Sequence, residues 1–143
     1  MASSPCIFCD IVAGRAPASM VYRDELVCAF MDIRPVNPGH LLIIPVHHAG
    51  CLADLDPVTG GRIFEVGQRL AKALRVSGVR CEGINFFLAD GEPAGQEVFH
   101  AHLHVVPRFA DDGFGLHYGS DYGMLPERSA LQSVAAAIRN ALM

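Results

Sequence analysis

The sequence predicts an α+β fold: a mainly antiparallel sheet with a long helix and a C-terminal helix packed against it. Two observations carry this. Strand-length apolar runs and helix-period segments follow the order strands, helix, strands, helix, without the regular alternation of a parallel sheet. The turn-forming DGEPAGQ, Asp90 to Gln96, separates two apolar runs, as an antiparallel hairpin requires. A βαβ nucleotide fold fits poorly, because no Gly-rich loop follows the first strand.

The elements follow in order. MVYRDELVCAFMD (Met20 to Asp32) reads as two short strands around a turn at Asp24-Glu25. RPVNPGH (Arg34 to His40) is a tight connection, since Asn-Pro-Gly is strong turn chemistry. HLLIIPV (His40 to Val46) is a strand buried on both faces. Asp56-Pro57 opens a helix, Asp as N-cap and Pro at the first position. Ile63, Val66, Leu70 and Leu74 recur at spacings of three and four and give that helix one apolar face; Ser77-Gly78 ends it. GINFFLA (Gly83 to Ala89) is a strand, and VFHAHLHVVPR (Val98 to Arg108) is its antiparallel partner. A looser segment leads to a last helix from about Pro126, with Leu131, Val134, Ile138 and Leu142 on one face. We read residues 1–143 as one domain, with a motif-bearing core over 5–109 and a C-terminal segment and helix over 110–143.

Composition excludes several classes. The net charge is −4 and Lys72 is the only lysine, which argues against a nucleic-acid surface built on a Lys/Arg field. A small phosphate ligand stays possible, held by imidazoles, hydroxyls and backbone N–H groups. No apolar run is long enough to span a membrane. MASSPCIFCD has no basic segment followed by an apolar one, so no secretory signal is expected and the location is read as cytoplasmic. Five cysteines, an odd number, then argue against a disulfide framework.

HAHLHVVPR, His100 to Arg108, carries three of the seven histidines. On a strand, His100, His102 and His104 share one face, in steps of about 7 Å, while Ala101, Leu103 and Val105 face the core. Burying three imidazoles without partners would cost about 1–3 kcal/mol each, so a site is expected. Two chemistries compete: the imidazoles bind a metal, or one is a nucleophile toward phosphorus and the others support it. A nucleophile needs one ring nitrogen unprotonated and the other held as N–H. Gly95 and Gln96 precede the strand, where a glycine turn can aim N–H groups at an anion.

HAHLHVV resembles the His-x-His-x-His-x-x motif of the histidine-triad (HIT) family of nucleotide hydrolases and transferases. The stretch from Cys6 to His48 is similar to the family's N-terminal half, and DGEPAGQEVFHAHLHVVPR to its active-site hairpin, so the resemblance covers roughly 5–109. It implies a HIT-like homodimer whose sheet continues across the two-fold axis, and a purine nucleoside monophosphate ligand (AMP- or GMP-like) cleaved at the α-phosphorus. Carried over, His102 attacks phosphorus and forms a nucleotidyl-histidine that water releases, and His104 hydrogen-bonds near the phosphate. Gln96 sits by the scissile bridge and the Val98 N–H meets a phosphate oxygen. Asp32 matches the acidic residue that takes the ribose hydroxyls, and Phe8, Phe30 and Ile33 line the base pocket; plain core and a turn cap are the competing readings of these four. Two positions depart from the pattern: Ala89 stands where relatives often have Asn or Gln, and Glu97 where they often have Ser or Thr. A carboxylate beside phosphate repels unless it turns away, so Glu97 is expected in a surface ion pair or against another subunit.

Cys6-Ile7-Phe8-Cys9 has the spacing of a zinc half-site; two free cysteines in an N-terminal arm are the alternative. In bacterial-type members that the chain resembles, structural zinc is held by this pair, a histidine after the IIP strand and the first triad histidine. The matching residues are Cys6, Cys9, His48 and His100, with His47 the rival of His48. Zinc on His100 would withdraw that ring from acid–base work. His40 and His117 are read as structural or surface residues. The leading activity is then a nucleoside phosphoramidate hydrolase of adenylyl type. The alternatives are a dinucleoside polyphosphate hydrolase, a non-catalytic nucleotide-binding module, and a metalloenzyme with one ion on all three histidines.

Overall fold

The computed structural model describes residues 6–142; the first five residues of the signal-peptide reading, the last of which, Pro5, also heads the motif-bearing span, lie outside them. The described residues form two compact units, one ending at Gly113 and the other starting at Phe114.

The first unit holds α1 (Ile7–Val12), β1 (Met20–Arg23), β2 (Val27–Met31), β3 (Leu41–Pro45), α2 (Pro57–Val76), β4 (Gly83–Phe87) and β5 (Leu103–Arg108). The five strands form one sheet in the order β1-β2-β3-β5-β4, every neighbouring pair antiparallel. Asp24 makes the first hairpin: its Oδ1 accepts the Leu26 and Val27 N–H groups, and its Oδ2 accepts Tyr22 Oη and Arg62. β3 is buried along its whole length, as its apolar run predicts. α2 is capped by the Asp56 carboxylate on the Thr59 N–H and carries Pro57 at its start.

The alternation of the strands sorts two cores. Val27 and Ala29, Leu41 and Ile43, and Leu103 and Val105 meet Ile63, Val66, Leu70 and Leu74 of α2. On the opposite face, Cys28, Phe30, Leu42 and Ile44 pack with Phe8 and Ile11 of α1. His104 pairs in register with Leu42, which places it on this second face. α1 was not visible in the sequence: six residues carry too little periodicity to announce a helix.

One expectation is corrected. β5 begins at Leu103, so His104 lies on the strand but His100 and His102 precede it. The backbone groups that would extend the ladder are used elsewhere. The Ala101 N–H donates to Ala49 O at 2.7 Å, and the His100 carbonyl accepts from the His102 ring.

The second unit contains α3 (Arg128–Ala141). Its apolar stripe, Leu131, Val134, Ile138 and Leu142, is exposed.

Candidate active site and metal centre

The chain delivers its histidines from four places. The β2–β3 connection is pinned at both ends: Asp32 Oδ1 accepts the Arg34 N–H, the Asp32 N–H donates to His40 O, and the His40 N–H donates to Asn37 O. Gly39 has φ +99, and a Cβ there would lie 2.8 Å from Val79 Cγ1. Only glycine gives this turn, and the turn buries His40 beneath the sheet end. The β4–β5 connection is tied by Gln96. Its Oε1 accepts the Gly91 N–H at 2.8 Å, and its Nε2 donates to Gly50 O and Val98 O.

The ring protons can be assigned from these partners. His102 Nδ1 is 2.8 Å from the His100 carbonyl, which can only accept, so Nδ1 carries the proton. The neutral ring then keeps its lone pair on Nε2. His40 Nδ1 accepts the Val36 N–H at 3.0 Å, so neutral His40 is protonated on Nε2. That Nε2 lies 2.9 Å from His104 Nδ1, to which it donates, and 3.5 Å from Asp32 Oδ2, whose charge faces it without a hydrogen bond. His104 Nδ1 is therefore an acceptor, and its proton sits on Nε2. Burial lowers His40 despite the opposing charge of Asp32. Burial, then the neighbouring His102 and His40, pushes His104 down to about 4. Both shifts favour the neutral rings that this chain of hydrogen bonds needs. His40, read from sequence as structural or surface, thus sets the tautomer of His104. Its only sequence signal was a histidine at the foot of an Asn-Pro-Gly turn.

His102 and His104, with ring centroids 4.9 Å apart, lie on a cavity of about 460 Å³. Phe8, Phe30, Asp32, Ile33, Glu97 and Val98 line the same cavity. Its volume lies in the range that small-molecule sites occupy, about 300–1,000 Å³. Phe8 and Phe30 are both core and lining, their rings edge-to-face at 5.4 Å. Glu97 is exposed at the rim and pairs with Arg34 at 3.3 Å, the surface ion pair expected of it. Two expected residues stand apart. Gln96 is buried, spends its amide on backbone, and does not line the cavity: the loop it braces needs both of its polar atoms. His100 is turned away, because its Nε2–H donates to Pro45 O at 2.8 Å, and its contribution to the cavity is the carbonyl that holds His102.

The other His100 nitrogen meets the cysteines. Nδ1 lies 3.5 Å from Cys6 Sγ, 3.6 Å from Cys9 Sγ and 3.2 Å from His48 Nδ1; Cys9 Sγ to His48 Nδ1 is 3.3 Å. A tetrahedral zinc, with Zn–S about 2.3 Å and Zn–N about 2.0–2.1 Å, sets sulfur and nitrogen about 3.6 Å apart and two nitrogens about 3.3 Å apart. The four side chains fit zinc in type and spacing, and the Pro45 carbonyl fixes the tautomer that leaves His100 Nδ1 free to ligate. Burial, then the adjacent Cys6, pushes the Cys9 thiol up to about 11; a bound dication would reverse this. His47 is not part of the cluster. The three triad rings take separate partners, so one ion shared by all three has no support in the geometry.

Comparisons with known proteins give the family and the fold. The family model described as HIT domain matches residues 13–111. A HIT family protein from Bacillus anthracis aligns at TM-score 0.89 and 38% identity, covering 99% of this chain and 100% of its own. A zinc-bound histidine triad family protein from Mycobacterium smegmatis aligns at TM-score 0.74 and 44% identity, covering 92% and 96%. A HIT family hydrolase from Legionella pneumophila aligns at TM-score 0.61 and 35% identity, covering 71% of this chain and 91% of its own.

Proposed function

The chain belongs to the HIT family, and on that premise we propose that it is a nucleotide hydrolase of phosphoramidate type, acting at the α-phosphorus of adenylyl substrates through His102. One observation carries the reading: the His100 carbonyl holds the proton of His102 on Nδ1, leaving Nε2 as a lone-pair donor at the cavity. In the first step, His102 Nε2 bonds to phosphorus as the bond to the leaving amine breaks, and the amine departs with a proton taken from solvent. In the second, water attacks the same phosphorus. The nucleoside monophosphate leaves, Nε2 recovers its lone pair, and the water's proton passes to solvent. The His104 Nε2–H and the Val98 N–H are the donors for charge on the phosphoryl oxygens. Asp32 takes the ribose hydroxyls, and Phe8, Phe30 and Ile33 take the base.

Zinc on Cys6, Cys9, His48 and His100 is structural in this reading: it supplies a cross-link between the N-terminal helix and the triad segment. Among the described residues the cysteines are free and no helix is long and apolar enough to cross a membrane, which suits a reducing cytoplasm. The edge position of β4 is where a homodimer would continue the sheet.

Initial rates on an adenosine 5′-phosphoramidate and on diadenosine triphosphate test the proposal. The phosphoramidate is expected to turn over faster, and His102→Ala to lower its kcat by about 10³-fold or more. Preference for the polyphosphate would reassign the leaving group. AMP binding without turnover of either compound would make the chain a binding module.

A further inference from the structure

Metal binding and base recognition meet in one tetrapeptide. In Cys6-Ile7-Phe8-Cys9 the outer residues belong to the four-ligand cluster and the inner two line the cavity. The Phe8 ring packs edge-to-face on Phe30, on His102 at 5.2 Å and on His100 at 5.8 Å. It therefore touches one metal ligand and the nucleophile together. The element that carries it is weak by itself. α1 has six residues, far below the length at which an isolated helix holds its shape. Its N-cap is the Cys6 sulfur, which accepts the Cys9 N–H at 3.4 Å. Besides the burial of Phe8 and Ile11, a bond from Arg23 Nη1 to Val12 O and the contacts of the Cys6 and Cys9 sulfurs with His100 and His48 tie it to the rest of the unit. Ligation of both thiols would fix the two ends of the tetrapeptide against His48, just after β3, and the triad segment, and with them the angle of Phe8.

We propose that metal on this cluster positions Ile7 and Phe8 as the base wall, so that zinc and nucleotide bind cooperatively. This rests on reading the cavity as a nucleotide site. Coupling between two sites is reciprocal: the factor by which zinc tightens nucleotide equals the factor by which nucleotide tightens zinc. The coupling should also depend on the base, because Ile7 and Phe8 would meet the base directly and reach the phosphate end only through the edge contact of Phe8 with His102.

The test uses the full chain, zinc-loaded and chelator-stripped. Calorimetry gives the affinity for AMP and for ribose 5-phosphate in each state, and competition with a chromophoric chelator gives zinc affinity with and without each ligand. AMP is expected to bind about 5–50-fold more tightly to the loaded chain, with an equal gain in zinc affinity. Ribose 5-phosphate should show less than about twofold coupling. Phe8→Leu should keep the zinc and reduce the AMP coupling to about twofold or less. AMP that binds both states equally would overturn the proposal and leave the nucleotide reading standing. Equal coupling for AMP and ribose 5-phosphate would also overturn it, since zinc would then act through the His100–His102 bond or through global folding and not through the base wall. Failure of the loaded chain to bind AMP would remove both readings.

Discussion

Replacing His40 with Asn tests the proton relay behind the active site. His40 accepts the Val36 N–H on one nitrogen and donates to His104 with the other, so it alone dictates that His104 carries its proton on Nε2. The donor to His104 is one neutral hydrogen bond, about 0.5–1.5 kcal/mol net, which biases the two tautomers by about 2- to 13-fold. His40→Asn should therefore lower kcat on an adenosine 5′-phosphoramidate by about 3–10-fold. Removing the His104 donor outright should cost more, about 10²–10³-fold, the usual loss for a transition-state donor. The discriminating assay is the double-mutant cycle. If His40 acts through His104, His40→Asn has no further effect on kcat in the His104→Ala background. The same 3–10-fold loss in both backgrounds would refute the relay.

Other outcomes follow from the same geometry. His104 is held near 4 against about 6.5 unfolded, so the unfolded chain binds an extra proton between those values. Its contribution to stability is present above about pH 6.5 and is lost as pH falls toward 4, on the order of 3 kcal/mol; denaturant midpoints at pH 7 and 5 should diverge less in His104→Gln than in the parent. Cys6→Ala should abolish bound zinc by elemental analysis while His102→Ala retains it, and the reverse pattern would place the ion on the triad. Gly39→Ala combines φ +99 with contacts of 2.8 Å to Val79 and 3.1 Å to Pro107. It should destabilise by about 2–4 kcal/mol in urea titrations; a loss under 0.5 kcal/mol would show that the turn relaxes freely.

Local chemistry made most of the fold legible. Asp24, Asp56-Pro57 and Ser77-Gly78 mark their element ends in sequence because each acts on backbone within three residues. Alternation sorted Leu103 and Val105 to one core and His104 to the other face, since side-chain direction on a strand needs only period two. What stayed hidden depends on distant partners. His100 and His102 leave the strand where Ala49 O takes the Ala101 N–H and the His102 ring takes the His100 carbonyl, groups that would have paired. Gln96 reads as a contact to substrate, yet its partners Gly50 and Gly91 consume it. His40 lies 64 residues from His104, and no pattern in the chain links them.

The central claim is that His102 Nε2 bonds to phosphorus. Rapid acid quench of the zinc-loaded chain with an adenosine 5′-phosphoramidate, followed by peptide mass mapping under conditions that preserve P–N bonds, addresses it directly. The expected result is one nucleotidyl group on His102, absent from His102→Ala. A nucleotidyl group on another residue, or full turnover by His102→Ala, would contradict it.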